Sequence, residues 1–190
     1  MTSLQQSVAS ARHLSREEVE AGLGHVRSAP QEAGILELIV RRPAVDEREV
    51  VGQAELDPER GLVGDDWAAR GRSGGRPAST DTQITVTSAR AIDLVAGSRE
   101  RWPLAGDQLY VDLDLSRGNV PPGTRLEIGT AVIEVTAAPH TGCKKFAARF
   151  GLEALKVFDT DDGRALNLRG INTRVVEPGV VRTGDAVRKL

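Results

Sequence analysis

The stretch AVIEVTAAPHTGCKKFAARF, residues 131–150, contains a complete junction between a strand and a helix. Its first six residues, Ala131 to Thr136, are rich in β-branched side chains and predict a strand. Phe146 to Phe150 has the spacing of a short helix. The single cysteine of the chain, Cys143, lies between them, and Thr141 is the candidate N-cap, which places Cys143 in the first helical turn. The stretch therefore predicts a cysteine at the start of a helix.

Cys143 has two opposite interpretations. Helix-start N–H groups and the adjacent Lys144 and Lys145 favour a thiolate, since thiol pKa values fall from about 8.5 toward roughly 3.5 to 7.5 in such surroundings. Alternatively, the cysteine is a small buried hydrophobe, because it shares a helix face with Phe146 and Phe150 at spacings of three and seven. The residues alone leave both interpretations open.

Length and composition limit the kind of protein. The 190 residues suffice for one domain with a small appendage, and a 3% aromatic content favours an aliphatic, strand-rich core. The net charge of -2, with acids and bases intermixed, argues against nucleic acid or a membrane surface as partner. One cysteine excludes an internal disulfide and favours a reducing compartment. The polar start, Met1 to Ala11, and the lack of a long apolar run predict a cytoplasmic protein.

Short strands and turns dominate the rest of the chain. We predict an N-terminal helical arm over residues 1–32, containing one capped helix from Ser15 to Arg27, and a main domain over residues 33–190. Ile35 to Val40 predicts a strand buried on both sides. Leu109 to Leu115 alternates, which predicts a strand with one buried face and acids on the exposed face. The fold class is therefore mainly β with α (α+β), a closed or nearly closed β-barrel with short helical excursions.

Several turns carry charged residues. Gly64-Asp65, Gly106-Asp107 and Gly184-Asp185 are expected to be turns that feed strands and not carboxylate sites. The arginine-rich loop Arg70 to Pro77 either closes over a phosphate or carboxylate, to which guanidinium offers a planar fork of donors, or is a solvated loop without a ligand.

The order and spacing of these motifs resemble the MOSC domain, named for the C-terminal domain of molybdenum-cofactor sulfurases. The resemblance covers roughly Ala33 to Leu190 and rests on these segments: Arg42-Pro43, Gly61 to Asp65, Thr82 to Thr85, Gly106-Asp107, Pro122 to Gly129, Cys143 to Lys145, Arg169 to Ile171 and Gly184 to Val187. It implies a barrel-like fold and a cysteine, Cys143, that carries sulfur as a persulfide or ligates molybdenum in a bound molybdopterin cofactor.

The resemblance also implies roles for basic residues. In cofactor-binding relatives basic groups hold the pterin phosphate, and the candidates by position are Arg169 and Arg174. Arg76 is a further candidate if the Arg70 to Arg76 loop closes over the cofactor as a lid. Lys144 is a further candidate cofactor contact.

The candidate catalytic residues are Cys143, His140 and Lys145. His140 lies three residues before the cysteine and is a candidate proton donor, because imidazole titrates near neutral pH.

Three functions follow from the resemblance. In the first, Cys143 accepts sulfur from a partner cysteine desulfurase and delivers it to a metal-sulfur centre. In the second, the chain binds molybdenum cofactor through Cys143 and reduces N-hydroxylated compounds with electrons from an electron-transfer partner. In the third, it is a non-catalytic interaction module with a buried cysteine. Pyridoxal phosphate is not expected, because the chain has no room for the desulfurase domain of the larger family members.

Overall fold

The computed structural model describes residues 12–71 and 77–190. The helices in this part are α1 (Arg16–Arg27), α2 (Trp67–Arg70), α3 (Ala89–Ala96), α4 (Lys144–Phe150), α5 (Leu152–Phe158) and α6 (Asp161–Ala165), with 3-10 helices at Thr80–Thr82 and Arg99–Ala105. The strands are β1 (Ala33–Arg41), β2 (Glu49–Val51), β3 (Gln53–Asp57), β4 (Gly61–Leu62), β5 (Ile84–Ser88), β6 (Leu109–Asp112), β7 (Arg125–Ile128), β8 (Ala131–Val135), β9 (Ile171–Glu177), β10 (Gly179–Arg182) and β11 (Ala186–Lys189). None of the helices described here has both the length and the apolar character needed to span a bilayer.

Seven strands close into a barrel. Their order is β1, β11, β7, β8, β9, β5 and β6, and β6 pairs again with β1. Neighbouring strands in this barrel are antiparallel except β5 and β6, which are parallel. β2 pairs with the end of β1, and β3, β4 and β10 form a separate antiparallel sheet. The predicted α+β barrel with short helices is confirmed.

β1 contributes to both hydrophobic clusters of the molecule. Leu36 and Ile39 belong to the cluster inside the barrel, whereas Leu38 and Val40 pack with the helices outside it. A strict period of two would place Leu36 and Leu38 on one face, but the pairing with β6 shifts register between them. The expectation that this strand is buried on both sides is confirmed from Leu36 to Val40, whereas Ile35, which was included in it, is exposed.

The prediction for β6 was wrong on one face. Tyr110 is fully buried and its hydroxyl donates to the carbonyl of Trp102 at 2.8 Å. Asp112 accepts from Arg90 at 2.6 Å and is only partly exposed. The face expected to meet water is instead covered by α3 and by the 3-10 helix that carries Trp102. Alternation along a strand does not reveal a helix that packs on its polar side.

The N-terminal helix begins as its sequence predicts. The Ser15 side chain accepts from the backbone N–H of Glu18, and the Glu18 side chain accepts from the backbone N–H of Ser15, which completes a capping box. Val19, Leu23 and Val26 are buried and pack with α3 and α5 in the outer cluster. The helix therefore forms part of the layer that covers the barrel.

Two glycines give a matched test of this packing. A Cβ at Gly34 in β1 would overlap the carbonyl oxygen of Asp112 and lie 3.1 Å from Leu113 Cβ, whereas a Cβ at Gly24 in α1 meets nothing within 4 Å. We expect Gly34→Ala to lower the free energy of unfolding by about 1 to 3 kcal/mol. Gly24→Ala should raise it by up to about 1 kcal/mol, because alanine is the better helix former. Urea unfolding of both variants measures the difference, and equal effects would contradict the packing of β1 against β6.

Candidate functional site

Cys143 lies at the start of α4, after the loop that leaves β8. It is the N-cap residue, with extended backbone angles (φ -129°, ψ 172°), and its carbonyl accepts the first helical bond from Ala147 N at 3.1 Å. The helix therefore begins two residues later than a Thr141 N-cap would place it, and the prediction that Cys143 lies in the first turn was wrong. The Cys143 side chain makes no capping hydrogen bond.

The side chain of Cys143 is exposed. Phe146 and Phe150, with which it was expected to share a helix face, are 1% and 0% exposed. Because Cys143 precedes the helix in extended conformation, it does not continue the face that those rings form. The interpretation of a buried core cysteine is contradicted, and the thiol is accessible to a reagent or a partner.

The two lysines after Cys143 differ in their surroundings. Lys145 Nζ lies 2.7 Å from Asp46 Oδ1, and Arg149 approaches the same oxygen at 3.4 Å. The hydrogen bond from Lys145 is the main reason why the pKa of Asp46 falls below its usual value. Lys144 is exposed and has no hydrogen bond or ion pair within the described ranges. Of the two candidates, Lys144 is therefore the uncompensated positive charge beside the cysteine.

A buried ion pair lies beneath this helix. Arg169 donates to Asp107 Oδ2 at 2.6 Å and to the carbonyl of Ala105 at 3.0 Å, and the Asp107 side chain is completely buried. The Arg169 guanidinium also stacks over the ring of Phe146, 5.0 Å from its centroid. The arginine expected to hold a pterin phosphate thus points into the protein and supports the helix that carries Cys143.

His140 belongs to the same network. Its Nε2 lies 3.4 Å from Asp107 Oδ1, longer than an ordinary hydrogen bond, and this Oδ1 has no hydrogen-bond partner among the described residues. Burial, reinforced by the nearby Arg169, lowers the pKa of His140 to about 4 against the opposing effect of Asp107. The imidazole is therefore neutral at pH 7, whereas a proton donor needs a pKa near the working pH.

The lowered pKa of His140 predicts a specific pH dependence of stability. The unfolded chain binds a proton at His140 below about pH 6.5, and the folded chain binds it only near pH 4, so stability is full above pH 6.5 and falls between these values. The free energy of unfolding lost between these pH values approaches roughly 3 kcal/mol. In His140→Gln this pH-dependent loss should be absent, because glutamine does not titrate. Urea unfolding at pH 7.5 and pH 5 checks it, and an unchanged pH dependence in the variant would contradict the burial of a neutral imidazole.

Two of the three Gly-Asp turns contain buried carboxylates. Gly64 and Gly106 both have φ of 88°, as turns require. Asp65, however, has a fully buried side chain that accepts from Arg42 Nε at 2.8 Å and from its second guanidinium nitrogen at 3.0 Å. Asp107 pairs with Arg169 as described above. The expectation of turns was correct, and at Asp65 and Asp107 the turn carboxylate also forms a buried ion pair with an arginine.

The end of the 3-10 helix Arg99–Ala105 organises this region. Three successive carbonyls there each accept from an arginine side chain: Leu104 from Arg149 at 2.7 Å, Ala105 from Arg169 at 3.0 Å and Gly106 from Arg42 at 2.9 Å. Such carbonyls have no partner within their own helix and carry partial negative charge. One short segment thereby holds α4, the start of β9 and the end of β1 together. Sequence reasoning missed Arg42, Asp65 and Asp107, and the recurring Gly-Asp pairs were the only local signal for the two acids.

The remaining basic candidates lie elsewhere. Arg174, exposed on β9, bonds to Glu134 and lies 3.8 Å from Asp81. Arg76 lies outside the described residues. Arg48, in the loop that contacts α4 through Asp46, is half-buried and its Nε has no partner. Burial, together with the charges of Arg149 and Arg42, lowers the Arg48 pKa. Arg48 and Lys144 are therefore the cations of this face that lack a carboxylate partner among the described residues.

These residues fit a molybdenum cofactor in part. Cys143 offers an exposed sulfur, the soft type of ligand that suits a transition metal. In the described ranges no group of three His, Cys, Asp or Glu side chains is arranged to hold a metal, and Cys143 is the candidate ligand. Arg169 and Arg174 are both engaged in ion pairs and do not form the expected phosphate site. Lys144 and Arg48 are the residues that fit an anionic group here.

Comparison with known proteins supports the fold. The family model described as MOSC domain matches residues 65–188. The crystal structure of the YUAD protein from Bacillus subtilis is similar at 17% identity with a TM-score of 0.62, over 82% of this chain and 94% of that one. YiiM from Escherichia coli is similar at 20% identity with a TM-score of 0.53, over 82% and 69%. No curated protein matches the chain. At these identities the structural likeness establishes the fold alone.

Proposed function

Because this chain belongs to the MOSC domain family, we propose that it is a sulfur carrier in which Cys143 holds sulfur as a persulfide. One observation carries the proposal: Cys143 is exposed at the start of α4, with a side chain that makes no capping bond. Lys144 supplies positive charge beside the sulfur, and this charge attracts the anionic persulfide of a donor and the one formed on Cys143.

The proposed loading step is a thiol–persulfide exchange. The Cys143 thiolate attacks the outer sulfur of a donor persulfide, R–S–SH. A new S–S bond forms at Cys143 Sγ as the S–S bond of the donor breaks, and the electron pair of that bond leaves on the donor sulfur as R–S⁻. The proton lost from the Cys143 thiol is taken up by this leaving thiolate or by water. No external oxidant or reductant is consumed, because the outer sulfur keeps its oxidation state.

The donor and the acceptor are partner proteins in this proposal. The donor is a cysteine desulfurase that carries a persulfide, and the acceptor thiolate takes the outer sulfur by the same exchange on the way to a metal-sulfur centre. We place the reaction in the cytoplasm, where a single free thiol stays reduced.

Alkylation kinetics test the accessibility that the proposal requires. Iodoacetamide should modify Cys143 in the native protein at a rate within about tenfold of that in the urea-unfolded chain, because the side chain is exposed. Treatment with glutathione persulfide should then protect the sulfur from direct alkylation and add one transferable sulfur atom. A thiol that reacts only after unfolding would overturn the proposal.

A second candidate function is the reduction of N-hydroxylated compounds with bound molybdenum cofactor. The half-buried Arg48 favours it, because this cation lacks a carboxylate partner in the described residues and the loop that bears it contacts α4. When bound, the cofactor supplies two-electron chemistry at molybdenum, and a partner protein supplies the electrons. Cys143 would hold the metal, and Lys144 and Arg48 would bind the anionic part. Molybdenum that co-purifies and is lost in Arg48→Gln would support this candidate, whereas metal-free protein from a molybdate-supplemented culture would exclude it.

A further inference from the structure

A group of basic side chains lies beside Cys143 and forms a surface that we call the cationic face. α4 contributes Lys144, Lys145 and Arg149, and the loop between β1 and β2 contributes Arg48. Both lysines are exposed, and the two arginines are partly exposed. The exposed sulfur of Cys143 therefore lies next to positive charge that a partner can reach.

The carboxylate of Asp46 joins the two parts of this face. Its Oδ1 lies 2.7 Å from Lys145 Nζ and 3.4 Å from a guanidinium nitrogen of Arg149. Asp46 itself has a φ of 63°, a left-handed conformation that aspartate adopts more readily than most residues. The loop is thereby tied to α4, and Arg48 lies close enough to other cations to be affected by them. Burial and, after it, the charges of Arg149 and Arg42 lower the pKa of Arg48.

The cationic face carries more positive than negative charge. Its four basic side chains stand against two carboxylates, those of Asp46 and of the exposed Glu47, which leaves a surplus of two positive charges. The whole chain has a net charge of -2, so this surplus is a local property of the face. Charge concentrated on one face attracts a partner of opposite charge and raises the rate of encounter, by about 10-fold to 1,000-fold in steered associations.

Val45 adds apolar surface beside these charges. It precedes Asp46 and is 70% exposed, the largest fraction among the large hydrophobic side chains of the described residues. Protein interfaces combine apolar contact of this kind with complementary charge. Nucleic acid is the less suitable partner, because every aromatic ring of the described residues except the partly exposed Trp67 is buried, and bases need exposed rings on which to stack. The face therefore fits an acidic segment of a protein.

We propose that the cationic face binds an acidic segment of the protein that donates sulfur to Cys143. This inference rests on the sulfur-carrier function proposed above and specifies the donor: acidic residues flank its persulfide cysteine. The chemical step is the exchange already described for Cys143 Sγ, and it needs no additional reactant. Binding of the acidic segment raises the rate of this step, because it brings the donor persulfide to the thiol.

Three peptide donors test the proposal. Each is blocked at both ends and carries one central cysteine persulfide, flanked by four glutamate, four glutamine or four lysine residues. The rate at which Cys143 gains sulfur is followed by intact-mass spectrometry of the full chain. At about 20 mM sodium chloride we expect the glutamate peptide to react about tenfold faster than the glutamine peptide, and the lysine peptide to react more slowly than both. At about 500 mM the preference for the glutamate peptide should fall below about twofold, because salt screens exposed charges.

Substitutions inside and outside the cationic face locate the binding surface. The measured quantity is the ratio of the rates with the glutamate and glutamine peptides, in which a change in the reactivity of Cys143 itself cancels. Arg48→Gln should lower this ratio about threefold, and Asp46→Asn should raise it about twofold, because the first removes a positive and the second a negative charge from the face. Arg188→Gln, an exposed arginine on β11 outside the face, should leave it unchanged.

Failure of this inference and failure of the sulfur-carrier function give different results. Equal rates with all three peptides, or equal losses in Arg48→Gln and Arg188→Gln, would overturn the acidic partner while Cys143 still accepts sulfur. The glutamate peptide without its persulfide should bind ¹⁵N-labelled Cys143→Ser, with saturable shifts of the α4 amides and a Kd below about 1 mM. If that binding occurs but the native protein accepts sulfur from no peptide, the sulfur-carrier function fails and the acidic binding surface stands.

A small anion is the alternative occupant that the same assay excludes. Sodium phosphate should reduce the preference for the glutamate peptide no more than sodium chloride does at equal ionic strength, because an acidic segment competes with phosphate only through screening. Loss of the preference at about 1 mM phosphate, where chloride has no effect, would show a site for a small anion and would overturn the proposal.

Discussion

Replacing Cys143 by serine should abolish the transfer of sulfur from glutathione persulfide to the protein, while the midpoint of thermal unfolding should change by less than about 2 °C. The loss is complete because the chain has no other cysteine to form the S–S bond. Stability is retained because the side chain is exposed and makes no capping hydrogen bond, and surface substitutions of this kind stay within about 0.5 kcal/mol. Intact-mass spectrometry and calorimetry on the same preparation measure both quantities.

A control variant tests whether sulfur acceptance depends on the position of the thiol or only on the presence of an exposed thiol. Ala21→Cys in the Cys143→Ser background places a thiol at an exposed position of α1, a helix that contains no lysine. We expect this thiol to be alkylated but to accept sulfur at least tenfold more slowly than Cys143, because it lies within a helix on the same face as Glu17 and Glu18 and has no adjacent lysine. Equal rates of sulfur acceptance by the two proteins would contradict a built site at Cys143.

Removing the carboxylate of Asp107 should be the most destabilising single change at the site. Asp107→Asn leaves the guanidinium of Arg169 buried without its counter-charge, and such unpaired buried charges cost about 3 to 5 kcal/mol. For a chain of this length the midpoint of thermal unfolding should fall by roughly 10 °C. Urea unfolding measures the free energy directly.

Two controls test the reason for that loss. Glu55→Gln removes the carboxylate of an exposed ion pair with Arg60. It should lower the free energy of unfolding by less than about 1 kcal/mol. Adding Arg169→Met to Asp107→Asn should recover part of the stability, because no unpaired buried charge remains. If Asp107→Asn lowers the free energy of unfolding by no more than Glu55→Gln does, the buried ion pair of Asp107 and Arg169 does not stabilise the site.

Structural features that depend on residues close together in the sequence, such as helix caps and strands, were predictable. The capping box of α1 follows from Ser15 and Glu18, which are three positions apart, and α3 begins at Ser88 and ends at Gly97 as their residue types indicate. The double-sided burial of β1 follows from its apolar run, in which Glu37 is the single polar residue between Ile35 and Val40. The junction of strand and helix around Cys143 was found to within two residues, because the decisive hydrogen bond from Ala147 has no residue-type signal.

Features decided by distant residues were not predictable. Asp107 and Arg169 are 62 positions apart, and neither has a local pattern that marks it as half of a buried pair. Lys145 and Asp46 are 99 positions apart in the sequence, so the sequence did not reveal that a carboxylate neutralises the charge of Lys145. The buried face of β6 depends on helices that pack over it from other parts of the chain. The first two contacts engage Arg169 and Lys145, and so determine which cations near Cys143 remain without a carboxylate partner among the described residues.

The most direct measurement of the central claim is intact-mass spectrometry of gently purified protein, before and after reduction, beside elemental analysis for molybdenum. The sulfur-carrier account predicts a mass gain of one sulfur atom that reduction removes, absent in Cys143→Ser, and no stoichiometric metal. Stoichiometric molybdenum that is lost in Cys143→Ser, with no added sulfur on the native protein, would contradict it and would make Cys143 a ligand of a bound cofactor.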